Sequence, residues 1–226
     1  MSKNALVIGA SGLIGRNLVF ELLKSPSYKK VVVLSRKDLV IKHDKFDQHL
    51  IDFEFLDNYQ HLMGVDDVFC CLGSTKAKTP DLNFYRKIDF DYPLQVAKLA
   101  LGKGAKQFLL ISAMGANKQS NLFYNKTKGE VEEAIAQLNY PSFQVFRPAL
   151  LLGSRNEFRP VETVSQYLFR VLNPFFIGSL RAYKAVHGNV VAKAMLMVAN
   201  KNFRGKNIWL NNQILDIVEK ETYAHS

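Results

Sequence analysis

The chain has 226 residues, with 30 Lys+Arg against 20 Asp+Glu and a formal charge of +10. At roughly 150 residues per domain, that length describes one domain with at most a modest extension. Hydrophobic residues make up 48% and charged residues 22%, which excludes wholesale disorder.

No apolar run reaches the roughly 18 residues of a membrane span. The start, Met1-Ser2-Lys3-Asn4, leads straight into Ala5-Leu6-Val7-Ile8. That stretch is too short for a secretory signal. Cys70 and Cys71 are adjacent, so no disulfide framework is expected, and the expected location is cytoplasmic. The charge is uneven: residues 1–140 are net +4, residues 141–210 net +8 and residues 211–226 net −2. A basic 141–210 segment is a solvated face or attracts an anionic cofactor or substrate. No nucleic-acid motif accompanies it, so no nucleic-acid partner is expected.

In chain order, Asn4–Ile8 reads as a buried strand ending in Gly9-Ala10-Ser11-Gly12. Leu13, Ile14, Leu18, Val19, Leu22 and Leu23 then recur at helical spacing up to Ser25-Pro26. Strands follow at 30–34, 46–51 and 67–72. A long helix is predicted over 81–101, then a strand over 107–111, a helix over 121–138 and a strand over 143–146. Beyond Arg147-Pro148, helices are predicted over 161–172 and 188–199, and a short strand over 207–210. Apolar strands alternating with helices make an α/β fold, a doubly wound parallel sheet of Rossmann type. We expect residues 1–150 to form the dinucleotide-binding domain. Residues 151–226 would be a small C-terminal substrate-side cap integrated with it.

Gly9-Ala10-Ser11-Gly12-Leu13-Ile14-Gly15 reads G-x-x-G-x-x-G, placed after the first strand and opening the first helix. Glycines admit a tight turn and a close approach to a pyrophosphate. The free N–H groups at the helix start attract its charge. The second strand ends in Ser35-Arg36-Lys37, where NAD binders carry an acid for the ribose hydroxyl. Two cations suit a 2′-phosphate, so NADP(H) is expected over NAD(H). Asp38 would reach a ribose instead if that strand ran longer.

Tyr124 and Lys128 form Y-x-x-x-K on a helix, and four residues bring both to one face. Carbonyl reduction leaves an alkoxide that must be protonated, and a free phenol has a pKa near 10. A lysine one turn away favours the phenolate. Ser112, at the end of the fifth strand, can direct the substrate oxygen. Cys70 and Cys71 lie in an apolar strand and read as small hydrophobes, not nucleophiles. His43, His49, His61, His187 and His225 lack metal-ligand spacing, so no metal is expected. Phe175-Phe176-Ile177 reads as core or as a wall of the substrate pocket.

These residues resemble the atypical short-chain dehydrogenase/reductase superfamily, in particular its Tat-interacting-protein-like oxidoreductase branch. The similarity rests on Gly9-x-x-Gly12-x-x-Gly15, Cys70 to Thr75, Ser112 to Ala116, Tyr124 to Val131 and Phe146 to Gly153. It implies a cofactor site of Gly9, Ser11, Gly12, Leu13, Ile14 and Gly15, with Arg36 and Lys37 at the 2′-phosphate. Asp52 and Phe53 would sit at the adenine, and Leu72 and Gly73 along the fourth strand. Pro148, Leu150 and Leu151 would border the nicotinamide. Tyr124, Lys128 and Ser112 would be catalytic, and Tyr124 and Lys128 would also touch the cofactor. Asp89 stands where many members carry an asparagine.

The expected function is NADP(H)-dependent oxidoreduction of a small-molecule carbonyl or alcohol. A second reading is a non-catalytic NADPH-binding module with a protein partner. A third is an isomerase or epimerase holding NAD, against which Arg36-Lys37 argues.

Overall fold

The computed structural model describes residues 2–75, 77–152, 178–201 and 203–224. The predicted helix over 161–172 and the Phe175-Phe176-Ile177 cluster lie outside them.

Among the described residues the strands are β1 Lys3–Ile8, β2 Tyr28–Ser35, β3 Phe46–Leu50, β4 Asp67–Cys70, β5 Gln107–Ile111, β6 Ser142–Arg147, β7 Leu151–Leu152, β8 Val186–His187 and β9 Gly205–Leu210. Seven of them form one sheet in the order β3-β2-β1-β4-β5-β6-β9, and every neighbouring pair is parallel. The strand order reverses between β1 and β4. In such sheets the crevice at that reversal receives the ligand. The fold is therefore a doubly wound Rossmann-type α/β domain.

The strands read as continuous apolar runs because both faces are covered. Val7, Val33, Phe69 and Leu109 face one core with Leu18, Leu22, Val191 and Met195. Leu6, Ile8, Val32, Val68, Phe108 and Leu110 face the other with Val96, Val131 and Ile135. The first core lies under helices α1 (Leu13–Lys24) and α5 (Gly188–Ala199). The second lies under the helix from Leu82 to Gly102 and under α4 (Phe123–Ala136).

Two features were not expected. The helix read over 81–101 is three pieces: α2 (Leu82–Arg86), a π turn over Lys87–Asp91, and α3 (Tyr92–Gly102). The tail also forms a helix, α6 (Asn211–Ala224). Its Ile214 and Leu215 pack into the first core, joined by Ile217 and Val218. β9 pairs with β6 over Ser142–Arg147, so the segment beyond residue 150 supplies the seventh strand of the main sheet.

Candidate functional site

A cleft of about 890 Å³ opens at the carboxyl ends of the central strands. The loop from β1 to α1 forms one wall. Gly9 has φ +78°, and a Cβ there would lie 2.4 Å from the Cys71 carbonyl carbon. A Cβ on Gly15 would lie 2.3 Å from the Gly9 oxygen. These two glycines let the loop turn and let α1 pack on it. Gly12 is the N-cap of α1, with no side-chain cap and no acid in the first turn. Its N–H bonds the Gly9 carbonyl at 3.0 Å. Ser11, Gly12, Leu13 and Ile14 line the cleft, and the N–H groups that open α1 at Leu13 and Ile14 have no side-chain cap and suit an anion. Gly9 and Gly15 shape the turn from behind.

Leu72 and Gly73 line the cleft from the end of β4. Ser112 lines it from the end of β5, and Tyr124 and Lys128 line it from α4. Tyr124 is half-exposed in the first turn, whereas Lys128 is buried. The Lys128 ammonium lies 2.8 Å from an Asp89 carboxylate oxygen and 3.5 Å from the Ile111 carbonyl oxygen. Burial works against this cation, but Asp89 and then Tyr124 outweigh it, and the Lys128 pKa is raised. At 2.8 Å the Asp89 contact is a buried charge-assisted pair. With the Ile111 carbonyl it takes two of the three N–H donors of Lys128, which leaves one on the cleft lining.

Ser112 is buried, and its hydroxyl donates to Glu132 at 2.5 Å. Glu132 in turn accepts from Arg147 through both oxygens, at 3.0 and 2.6 Å. Ser112 therefore presents lone pairs, not its proton, to the cleft.

The remaining expected residues lie elsewhere. Arg36 and Lys37 are exposed just past β2, outside the cleft lining. β2 ends at Ser35, so Asp38 stands three residues beyond it and caps the Val40 N–H at 2.8 Å. Asp52 accepts from the Glu54 N–H at 3.0 Å, and Phe53 is buried against Tyr92 with ring centroids 5.4 Å apart. Burial and then the hydrogen bond to Glu54 push the Tyr92 hydroxyl up. The Pro148 and Leu150 carbonyls accept from Met114 and Val186, and of that stretch Leu151 lines the cleft.

The cleft also takes in Arg16, Asn17, Lys78 and Asn189, which the sequence did not single out, and His187, which it weighed only as a metal ligand. Glu132 was missed too. It stands four residues after Lys128, on the face already shared with Tyr124. Burial pushes the Cys70 thiol up to about 12 and the Cys71 thiol well above its ordinary value, so neither is a ready nucleophile. Among the described residues, no cluster of His, Cys, Asp and Glu could hold a metal. Among the same residues, no helix is long and apolar enough to cross a membrane.

This cradle and crevice place the protein among Rossmann-type nucleotide-dependent proteins. The model of the NAD dependent epimerase/dehydratase family matches residues 5–208, and the chain belongs to that family. Protein HTATIP2 of Rattus norvegicus is 38% identical over 172 residues, covering 74% of this chain and 71% of its own length. Protein FMP52, mitochondrial, of Eremothecium gossypii is 30% identical over 223 residues, covering 96% and 98%. Among solved structures, the Bordetella bronchiseptica enzyme WbmH in complex with NAD+ superposes with a TM-score of 0.71 at 16% identity. It covers all of this chain and 83% of its own. The UDP-glucose 4-epimerase of Thermotoga maritima, with UDP-glucose, gives a TM-score of 0.69 at 17% identity, covering 99% and 84%. At that identity the likeness speaks for the fold.

The expected cytoplasmic location is corrected by these relatives, because the fungal ones are named mitochondrial. Adjacent unbridged cysteines report a thiol state that several compartments share, so they carry no address.

Proposed function

We propose that the protein is an NADP(H)-dependent oxidoreductase acting on a carbonyl or alcohol. The observation that carries this reading is the convergence on one cleft of the uncapped α1 N-terminus and the Tyr124–Lys128 face of α4. The cleft fits a dinucleotide in size and chemistry. Its glycine wall brings backbone N–H groups to the surface, and Lys128 keeps one N–H donor beyond those it gives to Asp89 and the Ile111 carbonyl.

Ser11 to Ile14 would hold the pyrophosphate, Lys128 the ribose hydroxyls, and Arg36 and Lys37 a 2′-phosphate. When bound, the nicotinamide supplies or accepts hydride. Tyr124 passes the accompanying proton to or from the substrate oxygen through its phenol. Ser112, its proton on Glu132, accepts a hydrogen bond from an alcohol. To donate to a carbonyl, its hydroxyl must rotate away from Glu132. Residues 1–150 are assigned to the cofactor and the segment beyond 150 to the substrate side. Leu151, Leu152, His187, Gly188 and Asn189 on the cleft lining support that division.

Calorimetry on the pure protein tests the cofactor. NADPH should bind more tightly than NADH. Arg36→Ala should cost roughly tenfold for NADPH and little for NADH, as loss of one charge-assisted contact predicts. Absence of NADPH binding by the folded protein would sink the reading. Tyr124→Phe should abolish turnover and leave NADPH affinity nearly unchanged.

A second reading is a non-catalytic NADPH-binding module that answers to a protein partner. Lys128 and Ser112 both engage inward acids, Asp89 and Glu132, which favours it. It predicts NADPH binding without oxidation across a broad aldehyde and ketone panel.

A further inference from the structure

The loop that carries Arg36 and Lys37 is tied down from the neighbouring strand. On one side of β2, Leu34 pairs with Ile8, so Ser35 and Arg36 leave the sheet beside Gly9 and the cradle it opens. On the other side, β3 pairs Gln48 with Val33 and Leu50 with Ser35. Gln48 therefore shares a face with Val33, where Phe46 and Leu39 also pack against the first core. A glutamine on that apolar face needs partners for its amide, and it finds them in the loop.

The Gln48 amide nitrogen donates to the Ser35 hydroxyl at 2.6 Å and to the Lys37 carbonyl at 2.8 Å. Its amide oxygen accepts the Leu39 N–H at 3.2 Å. The Ser35 hydroxyl donates in turn to the same Lys37 carbonyl at 2.9 Å. The amide fits one way round only: reversed, its oxygen would meet the Lys37 carbonyl and its NH2 group the Leu39 N–H. Ser35 is itself buried, and its carbonyl accepts the Ile51 N–H at 2.9 Å. The backbone is thus held at Ser35, Lys37 and Leu39, and Arg36 lies between two of these points. Asp38, the acid of the same loop, turns back on it to accept the Val40 N–H at 2.8 Å.

We propose that Gln48 is a positioning residue that sets the choice of nucleotide, by holding the Ser35–Leu39 loop ready to present Arg36 and Lys37 to a 2′-phosphate. This rests on the reading of those two cations as the 2′-phosphate site. A loop that is loose before binding must be ordered when the phosphate arrives, and that cost is subtracted from the affinity. A loop already knotted to β3 has met the cost during folding. NADH has no phosphate to offer the two cations and gains nothing from their order. The knot therefore favours NADPH without touching either nucleotide.

The test is calorimetric titration with NADPH and with NADH. Gln48→Met keeps the length of the side chain and removes all three bonds. NADPH affinity should fall roughly three- to tenfold while NADH affinity holds, so the preference shrinks by the same factor. An unchanged preference, or equal losses for both nucleotides, overturns the proposal. In an Arg36→Ala background Gln48→Met should cost NADPH clearly less, because the two residues act through one contact. A fully additive loss there overturns it as well. Ser35→Ala removes the other donor to the Lys37 carbonyl and serves if Gln48→Met folds poorly. It should shrink the preference at least about twofold, and a preference left intact overturns the proposal. Equal binding of NADPH and NADH by the unaltered protein would defeat the 2′-phosphate reading and this proposal with it. A preference that outlasts Gln48→Met defeats the proposal alone.

Discussion

Arg147 grips both carboxylate oxygens of Glu132, at 3.0 and 2.6 Å, and Ser112 gives its hydroxyl proton to the same carboxylate. The three residues tie the end of β5, the middle of α4 and the end of β6 into one buried unit. Glu132 is almost wholly buried and Arg147 only partly exposed, so water replaces little of what a deletion removes.

Glu132→Ala should therefore cost about 3–5 kcal/mol, because it strands a guanidinium and a hydroxyl. Glu132→Gln keeps the shape and one acceptor and should cost clearly less. Ser112→Ala should cost about 1 kcal/mol, the net worth of one hydrogen bond. Urea unfolding of the three variants checks the order. Equal losses for Ala and Gln at position 132 would mean that the charge, which both variants remove, holds the unit together, and that the shape and acceptor Gln keeps contribute nothing.

Two glycines of the phosphate loop should part company on substitution. A Cβ on Gly15 would sit 2.3 Å from the Gly9 oxygen, a backbone atom that cannot step aside. Gly15→Ala should destabilise the fold by about 1–3 kcal/mol, as overpacking does. A Cβ on Gly12 would lie 3.2 Å from the same oxygen, and Gly12 has an ordinary φ of −78°. Gly12→Val should fold with little loss and still weaken NADPH binding, because the new side chain enters the cleft. Thermal melting and calorimetry on both variants separate the two effects. Unimpaired NADPH binding by Gly12→Val would mean that the cradle is not where the pyrophosphate lies.

Much of this was legible in the sequence, because the signals are local. β1, the glycine turn and α1 follow one another within about twenty residues, and each announces the next by period and punctuation. The i, i+4 relation of Tyr124 and Lys128 is a property of one helix. The partners of those residues were not legible. Asp89 meets Lys128 across 39 positions and Glu132 meets Arg147 across 15, by way of a strand and a turn. The π turn hides inside an ordinary helical pattern, since one extra residue barely alters an apolar period. The pairing of β9 with β6 is likewise a tertiary choice: a strand alternating intermediate and exposed residues says little about which edge it will join. Asp52 and Phe53 rest on resemblance alone: the Asp52 carboxylate accepts the Glu54 N–H and Phe53 packs in the core, neither of which a local pattern announces.

The protein should lose stability steeply in alkali, and the cause can be isolated. The Tyr28 hydroxyl is pushed up, first by burial and then by Asp67, to which it donates at 2.5 Å. Burial likewise raises Tyr140, and it brings Cys70 up to about 12. In the unfolded chain these groups titrate near 10 for tyrosine and 8.5 for cysteine. Below those values both states hold the proton, and the contribution to stability is complete. Above them the unfolded chain releases protons that the folded chain keeps, so stability falls as pH rises. Each such group removes about 1.4 kcal/mol per pH unit until its folded value is reached. Lys128, also raised, acts in the same direction above the ordinary lysine range.

Tyr28→Phe should be less stable at pH 7 by about 1 kcal/mol, having lost the bond to Asp67. Above pH 10 its stability should fall less steeply, by about 1.4 kcal/mol per pH unit, so the two curves converge. Denaturant midpoints measured from pH 7 to 11 show this directly. Parallel curves would mean that the Tyr28 proton is released in both states alike, and that its burial plays no part in the alkaline loss.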